Sequence, residues 1–250
     1  MPKRVSILLA SWLVVGPAAH VSAGEVRAAV AANFAQPMKA IAEAFERASG
    51  HKAVLVLGST GKLYAQIRNG APFDVLLAAD AETPARLERE GAAVAGSRFT
   101  YAVGRLVLWS AKEGFVDARG EILKGGAFAR LAIAAPKLAP YGAAAVDVLQ
   151  RLGIEASLRS KFVQGESVAQ TYQFVATGNA ELGFVALSQV YRDGNLMSGS
   201  AWVVPADLHA PIRQDAVVLT RAASNPVARA LADFLKGDTA RSVVKAHGYE

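Results

Sequence analysis

The spacing of apolar and polar positions along the chain predicts short buried strands that alternate with amphipathic helices. Runs of apolar residues bounded by turn formers have the length and composition of buried strands. The predicted strands are residues 26–30, 52–57, 73–79, 131–135 and 182–187, and residues 101–109 are predicted to be strands that cross the molecule. Between the first two runs, Phe34, Met38 and Phe45 recur at helical spacing on one face of a helix that we expect to end at Gly50.

Helical patterns follow most of these strands and also occupy the last part of the chain. The predicted helices are residues 34–50, the segment from the 58–62 loop to 69, 84–90, a helix after the loop at 136–142, a helix from 168, and residues 226–235 and 239–247. Strands that alternate with helices over short connections are typical of a mainly parallel sheet flanked by helices. We therefore expect an α/β fold of two lobes, with residues 24–104 plus 215–250 forming lobe 1 and residues 105–214 forming lobe 2.

The first residues have the three parts of a secretory signal peptide. Lys3 and Arg4 form a positive start, residues 5–15 are apolar except for two serines, and residues 21–23 match a small-residue cleavage site. No later stretch reaches the ~18 uncharged apolar residues that a membrane span needs. We expect residues 1–23 to be a signal peptide that is removed from the mature chain.

The amino-acid composition restricts the cellular compartments in which the protein could act and excludes several classes of function. The sequence contains no cysteine, which excludes disulfides, thiolate metal sites, a cysteine nucleophile and a lipid anchor on an N-terminal cysteine. With the signal peptide, this predicts a soluble protein of the periplasm. The formal net charge is +6, but the basic residues are scattered singly without interleaved aromatic residues, so no nucleic-acid surface is indicated.

Four predicted junctions between a strand and a helix have small or polar residues where the helix begins. They are AANFAQP at 31–37, GSTGK at 58–62, KLAPYGA at 137–143 and GESVAQ at 165–170. The first N–H groups of a helix have no partner within the helix and carry partial positive charge, so they attract anions. Strand ends converge on a crevice in open α/β sheets, so these junctions are candidates for one anion site. The second loop is not a nucleotide phosphate loop, because Val56 and Leu63 replace the first glycine and the hydroxyl residue of that motif.

Each candidate residue also has a purely structural interpretation. Ser59 suits an ordinary helix N-cap, and residues 167–170 fit a capping box of the S-x-x-Q type. Asn33 suits a turn, and Tyr141 suits the core. Lys62 lies in the first turn of a predicted helix, where a solvated side chain is the expectation.

The sequence does not indicate an enzyme. It lacks a G-x-S-x-G elbow, and His51, His209 and His247 lie far apart in the chain, so we expect each of them on the surface. Asp74 and Asp80 could be mistaken for an acid–base pair. We expect instead that Asp80 caps or orients the next helix and that Asp74 binds backbone near the crevice.

Taken in order, the four loops resemble those of the periplasmic molybdate-binding proteins of ABC importers, which are type II periplasmic binding proteins. The resemblance covers essentially the whole mature chain. It is carried by AANFAQPMKAIAEAF, GSTGKLYAQIRNGAPFDVLLAAD, the PYG loop with its helix ending at LG, and GESVAQTYQFVATGNAELGFVALSQ. It implies two lobes, each a mainly parallel sheet flanked by helices, with the ligand in the cleft between them.

The resemblance also implies which residues bind the oxyanion. Asn33 and Ser59 fall where the first two loops supply donors, and Tyr141 and Val168 fall where the next two supply backbone N–H groups. Thr60 and Ala32 are possible additional contacts. No catalytic residue and no cofactor are implied, since molybdenum would be held only as the oxyanion. Some relatives place a tyrosine hydroxyl donor where this chain has Ala186, and we expect the Asn33 side chain to replace it.

The function implied by the resemblance is the capture of molybdate or tungstate and its delivery to a membrane permease by a monomeric receptor. Molybdate carries no proton at neutral pH and only accepts hydrogen bonds, so neutral donors suit it. Two alternatives stay open at this point. One is a receptor for another tetrahedral oxyanion such as sulfate, and the other is an exported enzyme built on the same fold.

Overall fold

The computed structural model describes residues 23–250, so the predicted signal peptide lies almost wholly outside the described residues. The strands are β1 (Glu25–Ala31), β2 (Lys52–Gly58), β3 (Val75–Leu77), β4 (Phe99–Gly104), β5 (Leu106–Ser110), β6 (Leu131–Ala134), β7 (Phe162–Gly165), β8 (Leu182–Ala186), β9 (Tyr191–Arg192), β10 (Asn195–Leu196), β11 (Ser200–Val203) and β12 (Ile212–Val218). The helices are α1 (Ala35–Ser49), α2 (Thr60–Arg68), α3 (Glu82–Arg89), α4 (Ile122–Gly125), α5 (Pro140–Arg151), α6 (Glu155–Leu158), α7 (Val168–Ala176), α8 (Leu187–Val190), α9 (Pro226–Lys236) and α10 (Asp238–Ala246).

Lobe 1 is built on a five-stranded sheet in the order β2-β1-β3-β12-β4. The first three strands are parallel, whereas β12 runs antiparallel to both of its neighbours. Helices α1, α9 and α10 cover one face, where Met38, Phe45 and Leu231 share a core with alternate residues of β1. Helices α2 and α3 cover the other face through Leu63 and Leu87. Both faces are therefore apolar, which explains the continuous apolar runs of the central strands.

Lobe 2 is built on a second five-stranded sheet in the order β11-β5-β8-β6-β7. Strands β6, β7 and β8 are parallel, and β5 runs antiparallel to β8. Helix α5 packs on one face through Val148 and Leu149. Helix α7 packs on the other face, where Val175 joins Trp109 and Val185 in a buried cluster. The two sheets with helices on both faces confirm the predicted two-lobed α/β fold.

The chain passes between the lobes twice. It leaves lobe 1 between β4 and β5 and returns between β11 and β12. Strand β12 pairs with β4 from Ile212 onward, whereas the predicted return to lobe 1 begins at residue 215. The exact lobe boundaries stay a prediction.

Several predicted helix ends agree closely with the structure, whereas the strand predicted at residues 73–79 is shorter and spans Val75–Leu77. Helix α1 ends at Gly50, whose φ of 71° lies in the left-handed region that favours glycine. Helix α5 begins with Pro140, a residue that suits a first helical position. Between residues 23 and 250, no helix has the length and hydropathy needed to span a bilayer.

Candidate functional site

The four predicted loops meet at one small cavity between the lobes. Its lining consists of Ala31, Ala32, Asn33, Gly58, Ser59, Thr60, Ala79, Ala139, Pro140, Tyr141, Ser167 and Val168. The structure thus brings together all six residues named from the sequence: Ala32, Asn33, Ser59, Thr60, Tyr141 and Val168. Beside this cavity lies a wider cleft of about 730 Å³, which Asn33, Ser59 and Ser167 also line.

Ser59 is the N-cap residue of α2, but its hydroxyl makes no capping hydrogen bond. The side chain is 4% exposed. Within residues 23–250, Ser59 Oγ is the only buried side-chain nitrogen or oxygen without a hydrogen-bond partner. Leaving a buried polar group unpaired costs about 1–3 kcal/mol. Ser59 is therefore an N-cap by position only, and its hydroxyl lines the cavity without a partner among the described residues.

Thr60 follows Ser59 at the start of α2 and is buried. Its Oγ1 accepts a hydrogen bond of 2.9 Å from the Ala79 amide, which fixes the end of β3 against the start of α2. A hydroxyl that accepts one bond can still donate its own proton. Thr60 therefore has a structural role in lobe 1 and keeps the capacity to donate into the cavity.

Asn33 differs from the expectation for its side chain. Its amide nitrogen Nδ2 donates to Gln214 Oε1 at 2.8 Å and to the Tyr249 hydroxyl at 3.0 Å, so both amide protons are used within the protein. The prediction that this side chain replaces a missing tyrosine donor is wrong, because its two amide protons are already donated to Gln214 and Tyr249. The remaining donor of Asn33 is its backbone N–H, which lies in the first turn of a 3-10 helix at residues 32–34.

In the third loop, the start of α5 leaves the Tyr141 N–H without a partner inside the helix. Pro140 has no N–H, and the N–H groups of Gly142 and Ala143 donate back to the Ala139 carbonyl. The aromatic ring of Tyr141 is buried, and its hydroxyl accepts a bond of 3.2 Å from Gln214 Nε2. Tyr141 is thus a core residue through its side chain and a cavity residue through its backbone.

In the fourth loop, the start of α7 has the predicted cap with one difference. Ser167 Oγ accepts from the Gln170 N–H at 3.3 Å. The Gln170 side chain accepts from the Glu166 N–H at 2.7 Å, rather than from the Ser167 N–H as in a standard capping box. The cap does not use the N–H of Val168, which opens the helix beside the cavity.

The position that carries a tyrosine in some relatives is apolar here. Ala186 is buried at the end of β8, and its N–H donates to Gln189 Oε1 at 3.0 Å. It does not line the small cavity.

Charged side chains lie at the mouth of the site rather than in its lining. Lys62 forms an ion pair with Glu166 of the other lobe, and the two side chains are 46% and 64% exposed. One residue before Lys62, the Gly61 N–H donates to the Leu138 carbonyl at 2.9 Å. These two contacts join the first turn of α2 to lobe 2, so the lobes are closed over the cavity.

Asp80 and Asp74, which could be mistaken for an acid–base pair, each accept a backbone hydrogen bond. Asp80 accepts from the Thr83 N–H at 2.7 Å, as predicted for a cap of α3. Asp74 accepts from the Arg27 N–H at 2.8 Å, but this bond lies at the start of β1, away from the cavity. His209 and His247 are buried, which contradicts their expected surface positions. Across residues 23–250, no group of three or more histidine or acidic residues could hold a metal ion.

Two α/β lobes that close on a cavity lined by neutral donors define the class of two-lobed solute-binding proteins. Residues 26–250 match the family described as "Bacterial extracellular solute-binding protein", and the chain belongs to this family. The chain is 62% identical to "Molybdate-binding protein ModA" of Azotobacter vinelandii over 246 residues, 98% of this chain and 96% of the relative. It is 50% identical to "Molybdate-binding protein ModA" of Rhodobacter capsulatus over 238 residues, 95% of this chain and 92% of the relative.

A solved structure supports the same assignment of the fold. The Azotobacter vinelandii periplasmic molybdate-binding protein superposes with a TM-score of 0.87 and 41% identity. The comparison covers 90% of this chain and 98% of that chain. The fold is therefore the two-lobed type II periplasmic-binding-protein fold that the four loops resembled.

Proposed function

We propose that this protein is a periplasmic binding protein that captures molybdate, and equally tungstate, between its lobes and delivers it to an ABC permease. Support comes from two relatives of 62% and 50% identity whose names state molybdate binding. Further support comes from the site, because Ser59 Oγ is a buried hydroxyl without a protein partner among the described residues. This unpaired hydroxyl is the single observation on which the proposal rests most.

The proposed ligand contacts are neutral donors from four helix starts. Ser59 contributes its hydroxyl, and Asn33, Tyr141 and Val168 contribute backbone N–H groups. Thr60 and Ala32 are proposed as additional contacts. The site has no cofactor, and molybdenum is held only as its oxyanion.

The lining of the small cavity explains how a dianion is held without an arginine. Among the described residues, the lining has no charged side chain. The partial positive charge of the helix starts offsets the charge of the ligand. A fully deprotonated anion needs only donors, so a carboxylate acceptor in the lining would repel it.

The number of proposed donors is sufficient for micromolar to nanomolar binding of the oxyanion. Hydrogen bonds to a charged group are worth about 1.5–3 kcal/mol each. Five such bonds, less the cost of desolvation and lobe closure, reach the ~8–12 kcal/mol of micromolar to nanomolar binding. Molybdate and tungstate have the same charge and nearly the same size, so this site should hardly distinguish them.

The location, partners and assembly state follow from the same proposal. The chain acts in the periplasm after export by its N-terminal signal peptide, functions as a monomer and catalyses no reaction. Lobe 1 comprises residues 24–104 plus 215–250, and lobe 2 comprises residues 105–214. Its partner is the membrane permease that receives the oxyanion.

Thermal unfolding with four oxyanions tests the proposal. Molybdate or tungstate at ~1,000 times its dissociation constant should stabilise the folded state by about 4 kcal/mol. Sulfate and phosphate at the same concentration should produce much smaller shifts. A sulfate shift as large as that of molybdate would favour a general tetrahedral-oxyanion receptor, and turnover of a substrate would favour an enzyme.

A further inference from the structure

A buried cluster of polar side chains lies directly behind the candidate site and joins the two lobes. We define the Tyr249 cluster as Asn33, Tyr101, Tyr141, Ser188, Gln214 and Tyr249. Tyr141 and Ser188 belong to lobe 2, Asn33, Tyr101 and Tyr249 belong to lobe 1, and Gln214 lies on β12, a strand of the lobe 1 sheet. All except the partly buried Tyr101 are buried. Polar groups in such a place must bind one another, so their hydrogen bonds fix their positions.

Asn33 is at the centre of the cluster. Its carbonyl oxygen accepts hydrogen bonds of 2.9 Å from the Tyr249 hydroxyl and from the Ser188 hydroxyl. The same two hydroxyls lie 2.9 Å apart. Because the Asn33 amide nitrogen also donates to Tyr249, this one tyrosine binds both the backbone and the side chain of Asn33.

Gln214 connects the rest of the cluster to Asn33. Its Oε1 accepts from Asn33 at 2.8 Å and from Tyr101 at 3.0 Å, and its Nε2 donates to Tyr141 at 3.2 Å. The cluster therefore touches the first and third loops of the candidate site from behind. A change at its centre would shift donors on both sides of the cavity.

The residue after Tyr249 pairs with the end of β4, where the chain leaves lobe 1. Val103 and Glu250 exchange two backbone hydrogen bonds, of 2.8 and 3.1 Å. Gly104, the next residue, has no room for a side chain, because a Cβ there would lie 2.1 Å from the Tyr141 hydroxyl. The Glu250 backbone thus holds the chain end against β4, and the Tyr249 hydroxyl contacts the Asn33 turn and Ser188 of lobe 2.

We propose that Tyr249 is a positioning residue for anion binding, whose hydroxyl fixes the Asn33 turn and ties it to Ser188 with the lobes closed. This inference rests on the proposed function. Tyr249 does not line the small cavity, so it acts through Asn33 and Ser188 rather than on the ligand. Hydrogen bonds between the lobes lower the free energy of the closed arrangement and so increase the fraction of protein that is closed. Because the ligand binds the closed arrangement, its apparent affinity rises in proportion to that fraction.

The test is the affinity and dissociation rate of molybdate and tungstate for the Tyr249→Phe variant of the full chain. This change keeps the buried ring and removes only the hydroxyl. We expect both anions to bind about five- to tenfold more weakly, through faster dissociation, which is the size expected for one or two neutral hydrogen bonds. Tyr64→Phe is the matched control, because the Tyr64 hydroxyl bonds to Glu90 on the surface of lobe 1, and it should bind like wild type.

Ser188→Ala supplies an independent variant from the other lobe, and it remains informative if Tyr249→Phe does not fold. Ser188→Ala should weaken binding to a similar extent. The loss of affinity in the double variant should be smaller than the product of the two single losses, because both substitutions remove the same contact between Tyr249 and Ser188. Affinities within twofold of wild type, or fully multiplicative effects, would overturn the positioning role. If wild type binds neither anion, the proposed function fails instead, so the two failures are distinct.

Discussion

The amide of Gly61 in lobe 1 donates a 2.9 Å hydrogen bond to the carbonyl of Leu138 in lobe 2. One of the free N–H groups at the start of α2 is therefore used to join the lobes rather than to face the cavity. The approach is close, because a Cβ on Gly61 would lie 3.1 Å from Leu138 Cα and 3.2 Å from its carbonyl oxygen. Closure thus depends on a glycine one residue after Thr60.

Replacing Gly61 should weaken ligand binding by hindering closure. A methyl group at this position requires the Leu138 backbone to move by a few tenths of an ångström. We therefore expect Gly61→Ala to raise the dissociation constant for molybdate about tenfold, which is near the lower end of the ~1–3 kcal/mol that overpacking costs. The unfolding free energy without ligand should change little. Gly125→Ala is the control, because no atom lies within 4 Å of a Cβ there. Equal molybdate affinities for the two variants, measured by calorimetry, would contradict this view of closure.

Ser59→Ala should not destabilise the ligand-free protein. The change removes a buried hydroxyl that has no partner within residues 23–250, so we expect the unfolding free energy to rise by about 1 kcal/mol. Ser200→Ala is the matched control. The Ser200 hydroxyl accepts from the Val116 N–H at 2.9 Å and donates to the Lys112 carbonyl at 2.6 Å. Urea unfolding should show a loss for Ser200→Ala, and an equal loss for Ser59→Ala would mean that its hydroxyl has a protein partner.

The ion pair of Lys62 and Glu166 should have a small effect that depends on salt. Both side chains are largely exposed, and exposed pairs contribute little. Lys62→Ala nevertheless leaves the Glu166 carboxylate near a dianion, so we expect about two- to fivefold weaker binding at low ionic strength and a smaller effect at ~1 M salt. Lys62→Ala combined with Glu166→Gln should recover wild-type affinity, and the remote variant Lys124→Ala should retain it throughout. No recovery in the double variant would exclude this electrostatic explanation.

The Tyr249 cluster predicts a loss of stability at alkaline pH. Burial raises the pKa of Tyr249 to about 12, and burial also raises the pKa values of Tyr101 and Tyr141 well above the ordinary range. The unfolded chain ionises first, near pH ~10. The contribution of these tyrosines to the free energy of unfolding should therefore be constant below pH ~10 and should fall between pH ~10 and ~12. Over that range, ionisation of Tyr249 should account for a loss of about 3 kcal/mol.

Urea unfolding at a series of pH values from 9 to 11.5 checks this expectation. Tyr249→Phe should lose less stability over this range than wild type, because one group that ionises preferentially in the unfolded chain is gone. An identical pH dependence in wild type and variant would show that Tyr249 ionises as readily in the folded protein as in the unfolded chain.

Much of this fold could be predicted from local patterns. Gly50 ends α1 because a left-handed residue is needed there, and Phe34, Met38 and Phe45 share the buried face that their spacing indicates. Strand β12 was not predicted. Its buried Gln214 and Asp215 interrupt the apolar pattern, and two of their partners, Asn33 and Thr100, lie 181 and 115 residues away in sequence.

The candidate site could be predicted only in part, because some of its features are local and others depend on partners that are distant in sequence. Helix starts are local features, so the four loops could be found from the sequence. The contribution of each side chain depends on distant partners. Asn33 is held by Gln214 and Tyr249, which are 181 and 216 residues away in sequence, and no local signal marks either partner. The sequence also could not decide between capping and ligand binding for Ser59, because that depends on whether its hydroxyl finds a partner.

Calorimetric titration of molybdate into wild type, Ser59→Ala and Ser157→Ala most directly tests the central claim, that neutral donors alone hold the dianion. Ser157 is exposed and donates to the Ile154 carbonyl within lobe 2. We predict that Ser157→Ala binds like wild type and that Ser59→Ala binds 10- to 100-fold more weakly, about the value of one hydrogen bond to a charged group. An unchanged molybdate affinity in Ser59→Ala would contradict the account.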